Sequence, residues 1–94
     1  MNQVFLQLGS NLGDRKQLLF DATTIITNKI GAVVSKSKVY ESTPWRTEGQ
    51  ENYLNQIVKI ETKFTPKATL QFALDIEEEL GRVRVEKWGE RLID

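Results

Sequence analysis

The alternation of apolar and polar positions divides the chain into a short series of elements. Val4-Phe5-Leu6-Gln7-Leu8 is a compact apolar run followed by Gly9, and it predicts a buried strand. Gly9-Ser10-Asn11-Leu12-Gly13-Asp14 reads as a turn-rich loop. Leu18, Leu19, Ala22, Ile25, Ile26 and Ile30 then recur at helical spacing on one stripe. Asp14 stands at an N-cap position, Gln17 three residues later suits a capping box, and Gly31 is a natural stop. A helix is therefore expected over 15–30. Residues 33–40, rich in Val and ending in Tyr40, read as a second strand. A loop follows through Asn52, and residues 53–62 read as a third strand. Its Leu54, Val58 and Ile60 fall on one face, and Tyr53, Asn55 and Ile57 on the other. Thr65-Pro66 opens a second helix, Leu70, Ala73, Leu74, Ile76 and Leu80 give its apolar side, and Gly81 ends it. From Arg82 to Asp94 no clear period remains.

The order β-α-β-β-α predicts an α+β fold, a ferredoxin-like two-layer α/β sandwich whose final strand is missing, in one domain over 1–94. In such a sheet the last strand pairs with the first. Without it, strand 4–8 is expected to present an open edge that invites association, a homodimer above all.

Composition narrows the chemistry. The 94 residues carry 13 basic and 13 acidic side chains, with no His and no Cys. Disulfides, Cys/His zinc sites, thiol nucleophiles and Ser-His-Asp triads are excluded, and any metal must be held by oxygen. A net charge of zero argues against a broad nucleic-acid surface. No apolar run is long enough to span a bilayer, and no signal-peptide pattern stands at the N-terminus, so a cytoplasmic location is expected.

Four segments can carry chemistry. Arg82, Arg84, Trp88, Arg91 and Asp94 crowd the last residues. Arginine forks suit phosphate oxygens, Trp offers a flat face, and an aspartate can hold Mg²⁺ beside a polyphosphate. The plain alternative is a solvated, charge-balanced tail. Tyr53 and Asn55 share the strand face opposite the apolar one, where Tyr can stack on a heteroaromatic ring and Asn can both donate and accept. A sheet-surface aromatic pair explains them equally. Ser42-Thr43-Pro44-Trp45 is either a rigid loop presenting backbone groups or an ordinary turn. Gly9-Ser10-Asn11-Leu12-Gly13 lacks the Gly-Lys-Ser/Thr ending of a P-loop and reads as a tight connection. Glu77 borders the apolar stripe of the second helix, where it can face a ligand or simply snorkel.

Taken together, Phe5-Leu6-Gln7-Leu8-Gly9-Ser10-Asn11-Leu12-Gly13-Asp14, Tyr40-Glu41-Ser42-Thr43-Pro44, Tyr53-Leu54-Asn55, Gly81-Arg82-Val83-Arg84 and Trp88-Gly89-Glu90-Arg91-Leu92-Ile93-Asp94 resemble, collinearly, the 6-hydroxymethyl-7,8-dihydropterin pyrophosphokinases of folate biosynthesis. The resemblance implies a transferase that moves the terminal diphosphate of ATP onto the pterin's hydroxymethyl oxygen, releasing AMP. It implies that Ser42, Thr43, Trp45, Tyr53 and Asn55 bind the pterin, and that Glu77, Arg82, Arg84, Trp88 and Arg91 serve ATP. Arg82, Arg91 and Asp94 are implied as catalytic, with Asp94 as the first of two aspartates holding two Mg²⁺ ions.

Family members continue past the position of Asp94 with a second aspartate and a further strand. A site with one aspartate is expected to hold two Mg²⁺ poorly and to turn over little. Two rival readings stand beside this one. The first is a non-catalytic ferredoxin-like module that binds a small molecule or a protein. The second is a nucleic-acid-binding domain, disfavoured because strand 53–62 lacks the paired aromatics such domains use.

Overall fold

The computed structural model describes residues 1–11, 13–43, 52–81 and 83–87. Seven elements follow one another: β1 (Asn2–Ser10), α1 (Arg15–Lys29), β2 (Ala32–Lys36), β3 (Tyr40–Ser42), β4 (Tyr53–Thr62), α2 (Pro66–Leu80) and β5 (Arg84–Lys87). The strands form one antiparallel sheet in the order β2-β4-β1-β5, with β3 pairing β4 beyond the end of β2. Both helices pack on one face, as the ferredoxin-like expectation requires.

The core follows from the period-2 pattern of the strands and the stripe of each helix. Val4, Leu6 and Leu8 of β1 and Leu54, Val58 and Ile60 of β4 meet Leu19, Ala22 and Ile26 of α1 and Ala73 and Ile76 of α2. The other face of the sheet carries Gln7, Gly9, Tyr53 and Asn55, and among the described residues no helix covers it.

Local signals set most boundaries. The Asp14 carboxylate accepts from the Gln17 N–H at 3.1 Å, whereas the Gln17 side chain turns to Asp21, so only half of the expected capping box forms. Thr65 caps α2 by accepting from the Ala68 N–H at 3.1 Å, and Gly81 closes it at φ 70°. The expected strand 33–40 is two strands. Val34 is an extra residue between Val33 and Ser35, and it bulges outward. Ser37 then ties the gap to β4: its N–H donates to the Ile57 carbonyl at 2.8 Å, and its Oγ accepts from the Ile57 N–H at 2.9 Å.

Two expectations are corrected. The edge of β1 is not open: β5 pairs with it from Leu6 to Gly9, so the basis for a strand-edge homodimer is removed along that stretch. Val83 and Val85 are the cause, since alternation sends both into the core and carries the chain alongside β1. The apolar side of α2 is also narrower than its sequence suggests. Leu70 and Leu74 stand 40% and 46% exposed beside β5, while Thr69 takes a buried place. Among the described residues no helix is long and apolar enough to cross a membrane.

Thr62 fastens the end of α1 to the sheet. Its buried hydroxyl donates to the Ile30 carbonyl at 2.8 Å and accepts from the Phe64 N–H at 3.1 Å. Thr62→Val keeps the shape and leaves both partners unsatisfied. We expect it to cost about 1–2 kcal/mol, read as a lower denaturant midpoint at unchanged slope. An unchanged midpoint would show the bonds to be dispensable.

Candidate functional site

The site is assembled across four neighbouring strands, β3, β4, β1 and β5. Asn55 of β4 and Arg84 of β5 lie opposite Gly9 of β1, one on either side. Ser42 of β3 lies opposite Tyr53 of β4. Pairing alone thus brings Ser42, Tyr53, Asn55, Gly9 and Arg84 to one end of the uncovered face.

Asn55 is 6% exposed, and its contacts fix its direction. Its amide donates to Ser42 Oγ at 2.8 Å and to the Tyr40 carbonyl at 3.3 Å. Both donors are turned toward β3, and Oδ1 is turned toward Gly9. The amide's N–H groups are thus engaged within the sheet, and Oδ1 is the atom left facing β1. Tyr40 is itself held by Gln7, whose amide donates to the phenol oxygen at 3.1 Å.

Gly9 is a residue whose part the sequence reading missed. It sits in β1 with no positive φ, so a turn does not require it. A Cβ there would lie 3.1 Å from Asn55 Oδ1 and 3.5 Å from Tyr53 Cδ1. The tight approach is to Asn55 Oδ1, while the Tyr53 ring passes at ordinary contact distance. Arg84 meets it from the far side: Nη2 donates to the phenol oxygen at 2.8 Å, and Cζ stands 4.8 Å from the ring centroid. Glu86 Oε1 stands 3.6 Å from the guanidinium Nε.

Two cavities open here. One, of about 230 Å³, is lined by Gly9, Asn11, Tyr53, Glu77, Gly81, Val83 and Arg84. The other, of about 440 Å³, is lined by Leu70, Leu74, Glu77, Arg84, Val85 and Glu86. Glu77 and Arg84 belong to both walls. Leu70 and Leu74, expected in the core, instead give the larger cavity its apolar side. Their signal was available: Leu70, Leu74 and Glu77 follow at i, i+4 and i+7 on one flank of α2.

The expected site residues thus divide. Ser42, Tyr53, Asn55, Glu77 and Arg84 come together, and Thr43 follows β3 as an exposed residue. Trp45, Arg82, Trp88, Arg91 and Asp94 lie outside the described residues. Among the described residues no group of three His, Cys, Asp or Glu side chains stands close enough to hold a metal ion.

Comparison with known proteins gives the family. The model of the family described as 7,8-dihydro-6-hydroxymethylpterin-pyrophosphokinase matches residues 5–94. Relatives named 2-amino-4-hydroxy-6-hydroxymethyldihydropteridine pyrophosphokinase include one from Methylorubrum extorquens, 41% identical over 100% of this chain and 60% of that protein. Another, from Bacillus subtilis, is 38% identical over 99% of this chain and 56% of that protein. The chain therefore spans somewhat over half the length of these relatives. Among solved structures, a formyltetrahydrofolate deformylase from Pseudomonas syringae overlays 93% of this chain and 28% of its own, at a TM-score of 0.55 and 13% identity, a likeness of fold alone. On the match of residues 5–94, the chain belongs to the 7,8-dihydro-6-hydroxymethylpterin-pyrophosphokinase family.

Proposed function

We propose that this chain carries pterin- and ATP-binding surfaces of a cytoplasmic diphosphokinase of folate biosynthesis. The hydroxymethyl oxygen of 6-hydroxymethyl-7,8-dihydropterin attacks the β-phosphorus of ATP. The bond from that phosphorus to the α-bridging oxygen breaks, AMP leaves, and the alcohol gives up its proton. Such a transfer asks for positioning and charge neutralisation more than for covalent help.

The supporting observation is the pair of cavities that share Glu77 and Arg84. In this reading Tyr53 stacks on the pterin, and Asn55 Oδ1 accepts from the pterin's amino or ring N–H. Ser42 holds the Asn55 amide in that orientation, and the backbone groups of Thr43 and Trp45 complete the ring's edge. The Leu70 and Leu74 wall takes the purine. Arg84 lies between the two ligands, where the phosphates pass, and Arg82, Trp88 and Arg91 serve the nucleotide with it. Asp94 would hold the Mg²⁺ that accompanies the triphosphate, and that ion would neutralise phosphate charge.

The test is product identity. Chain, ATP, Mg²⁺ and the reduced pterin are incubated, and nucleotides are separated by chromatography. AMP formed in equal amount with pterin diphosphate is the expected result. ADP as the nucleotide product, or AMP formed without pterin diphosphate, contradicts diphosphoryl transfer.

A further inference from the structure

The side chain expected to serve the phosphates is engaged with the side chain expected to serve the ring. Arg84 lies against Tyr53, bonded to its hydroxyl at 2.8 Å with the guanidinium carbon 4.8 Å from the ring centroid. Three features make the contact a built one. Gly9, between them on β1, places no side chain between Tyr53 and Arg84. Glu86 Oε1 pairs with the guanidinium Nε at 3.6 Å. Both side chains line the same cavity of about 230 Å³. Yet Arg84 is about half exposed, with its side chain at 51%, so the contact is reversible.

We propose that Arg84 is a positioning residue that competes with the planar ligand for Tyr53. While Arg84 holds the phenol, the ring-binding state is only fractionally populated, and apparent ring affinity falls by that fraction. An anion that takes the guanidinium's donors frees Tyr53. A diphosphate group does this through the paired N–H groups of the fork. The inference rests on the pterin reading of Tyr53 and adds a coupling between the two ligands through one side-chain pair.

The test uses the ring ligand alone, 6-hydroxymethylpterin without nucleotide, followed by calorimetry, together with NMR of the Tyr53 ring. Arg84→Ala is expected to raise nucleotide-free pterin affinity by about three- to tenfold, the size of an exposed cation–π and hydrogen-bond contact. Tyr53→Phe, which keeps the stacking face and loses the hydroxyl, is expected to raise it by a smaller factor. The double variant gains no more than Arg84→Ala alone. Inorganic pyrophosphate should shift the Tyr53 ring signals in the parent protein and leave them unmoved in Arg84→Ala. A merely structural contact predicts the opposite sign, weaker ring binding in both variants, and that result overturns the proposal. Tyr53 signals indifferent to both pyrophosphate and Arg84→Ala overturn it as well. Pterin failing to bind any folded variant, with the ring still answering pyrophosphate through Arg84, upholds the contact and overturns the pterin reading instead.

Discussion

Tyr53→Ala is expected to lower affinity for 6-hydroxymethylpterin, measured beside a non-hydrolysable ATP analogue, by about 10- to 100-fold, because stacking on an aromatic side chain is worth about 1–3 kcal/mol per base-sized ring. The effect should be confined to ligand. Tyr53 is half-buried on the uncovered face of the sheet, and its removal opens no void in the core. Thermal stability should therefore stay close to that of the parent. Asn55→Ala should behave differently. It removes an acceptor, and it also strips the Ser42 hydroxyl and Tyr40 carbonyl of their donor, so β3 loses a tie to β4 along with the loss of ligand. Comparing calorimetric titrations with melting curves for the two variants separates a stacking residue from an orienting one. Unchanged pterin affinity in Tyr53→Ala would place the ring elsewhere.

The largest effect on folding is expected at Gly31. A Cβ on this residue would collide with the Glu61 carbonyl oxygen, and it would stand 3.0 Å from the Glu61 carbon and 3.1 Å from Thr62 Cα. The obstacle is the backbone of the central strand β4, and no rotamer change relieves it. Gly31→Ala must push β2 away from β4 just where Ala32 pairs with Glu61, and it must disturb the Thr62 bond to Ile30. We expect a loss of about 2–3 kcal/mol, a large part of the about 5–14 kcal/mol that a chain of this length commands. In melting curves that is a fall of about 4–8 °C for each kcal/mol lost. A midpoint within experimental error of the parent would mean that the close approach is not needed. Gly31 marks the end of α1 in sequence, but the structure gives it no positive φ. Its reason is proximity to a strand 30 positions away, which a local reading does not contain.

That contrast runs through the molecule. Local determinants were legible. Leu54, Val58 and Ile60 on one face mark β4, Thr65-Pro66 and Gly81 bracket α2, and Asp14 with Arg15–Lys29 defines α1. The face shared by Tyr53 and Asn55 follows from the strand period. Pairings set by topology were not legible. Val83 and Val85 alternate between charged neighbours, but two apolar points are too few to announce a strand until β1 offers an edge. Gly9 resembles a turn residue because glycine usually is one, and only the close approach of Asn55 Oδ1 shows what its missing side chain permits. Leu70 and Leu74 count as core by spacing, and they are left at the margin because β5 is a short edge strand that does not reach over them. The candidate residues were thus legible one by one, and the pairing that brings Ser42, Tyr53, Asn55 and Arg84 to one end of the sheet was not.

The central claim is that Tyr53 on the open face of the sheet stacks on a pterin. Intermolecular nuclear Overhauser effects between 6-hydroxymethylpterin and the chain, recorded with a non-hydrolysable ATP analogue, test it most directly. The account predicts cross-peaks from the pterin's C7 and hydroxymethyl protons to the Tyr53 ring, with upfield ring-current shifts of those pterin protons. A folded chain that binds the pterin with its cross-peaks on other residues, or that shows no intermolecular cross-peaks at saturating ligand, would contradict it.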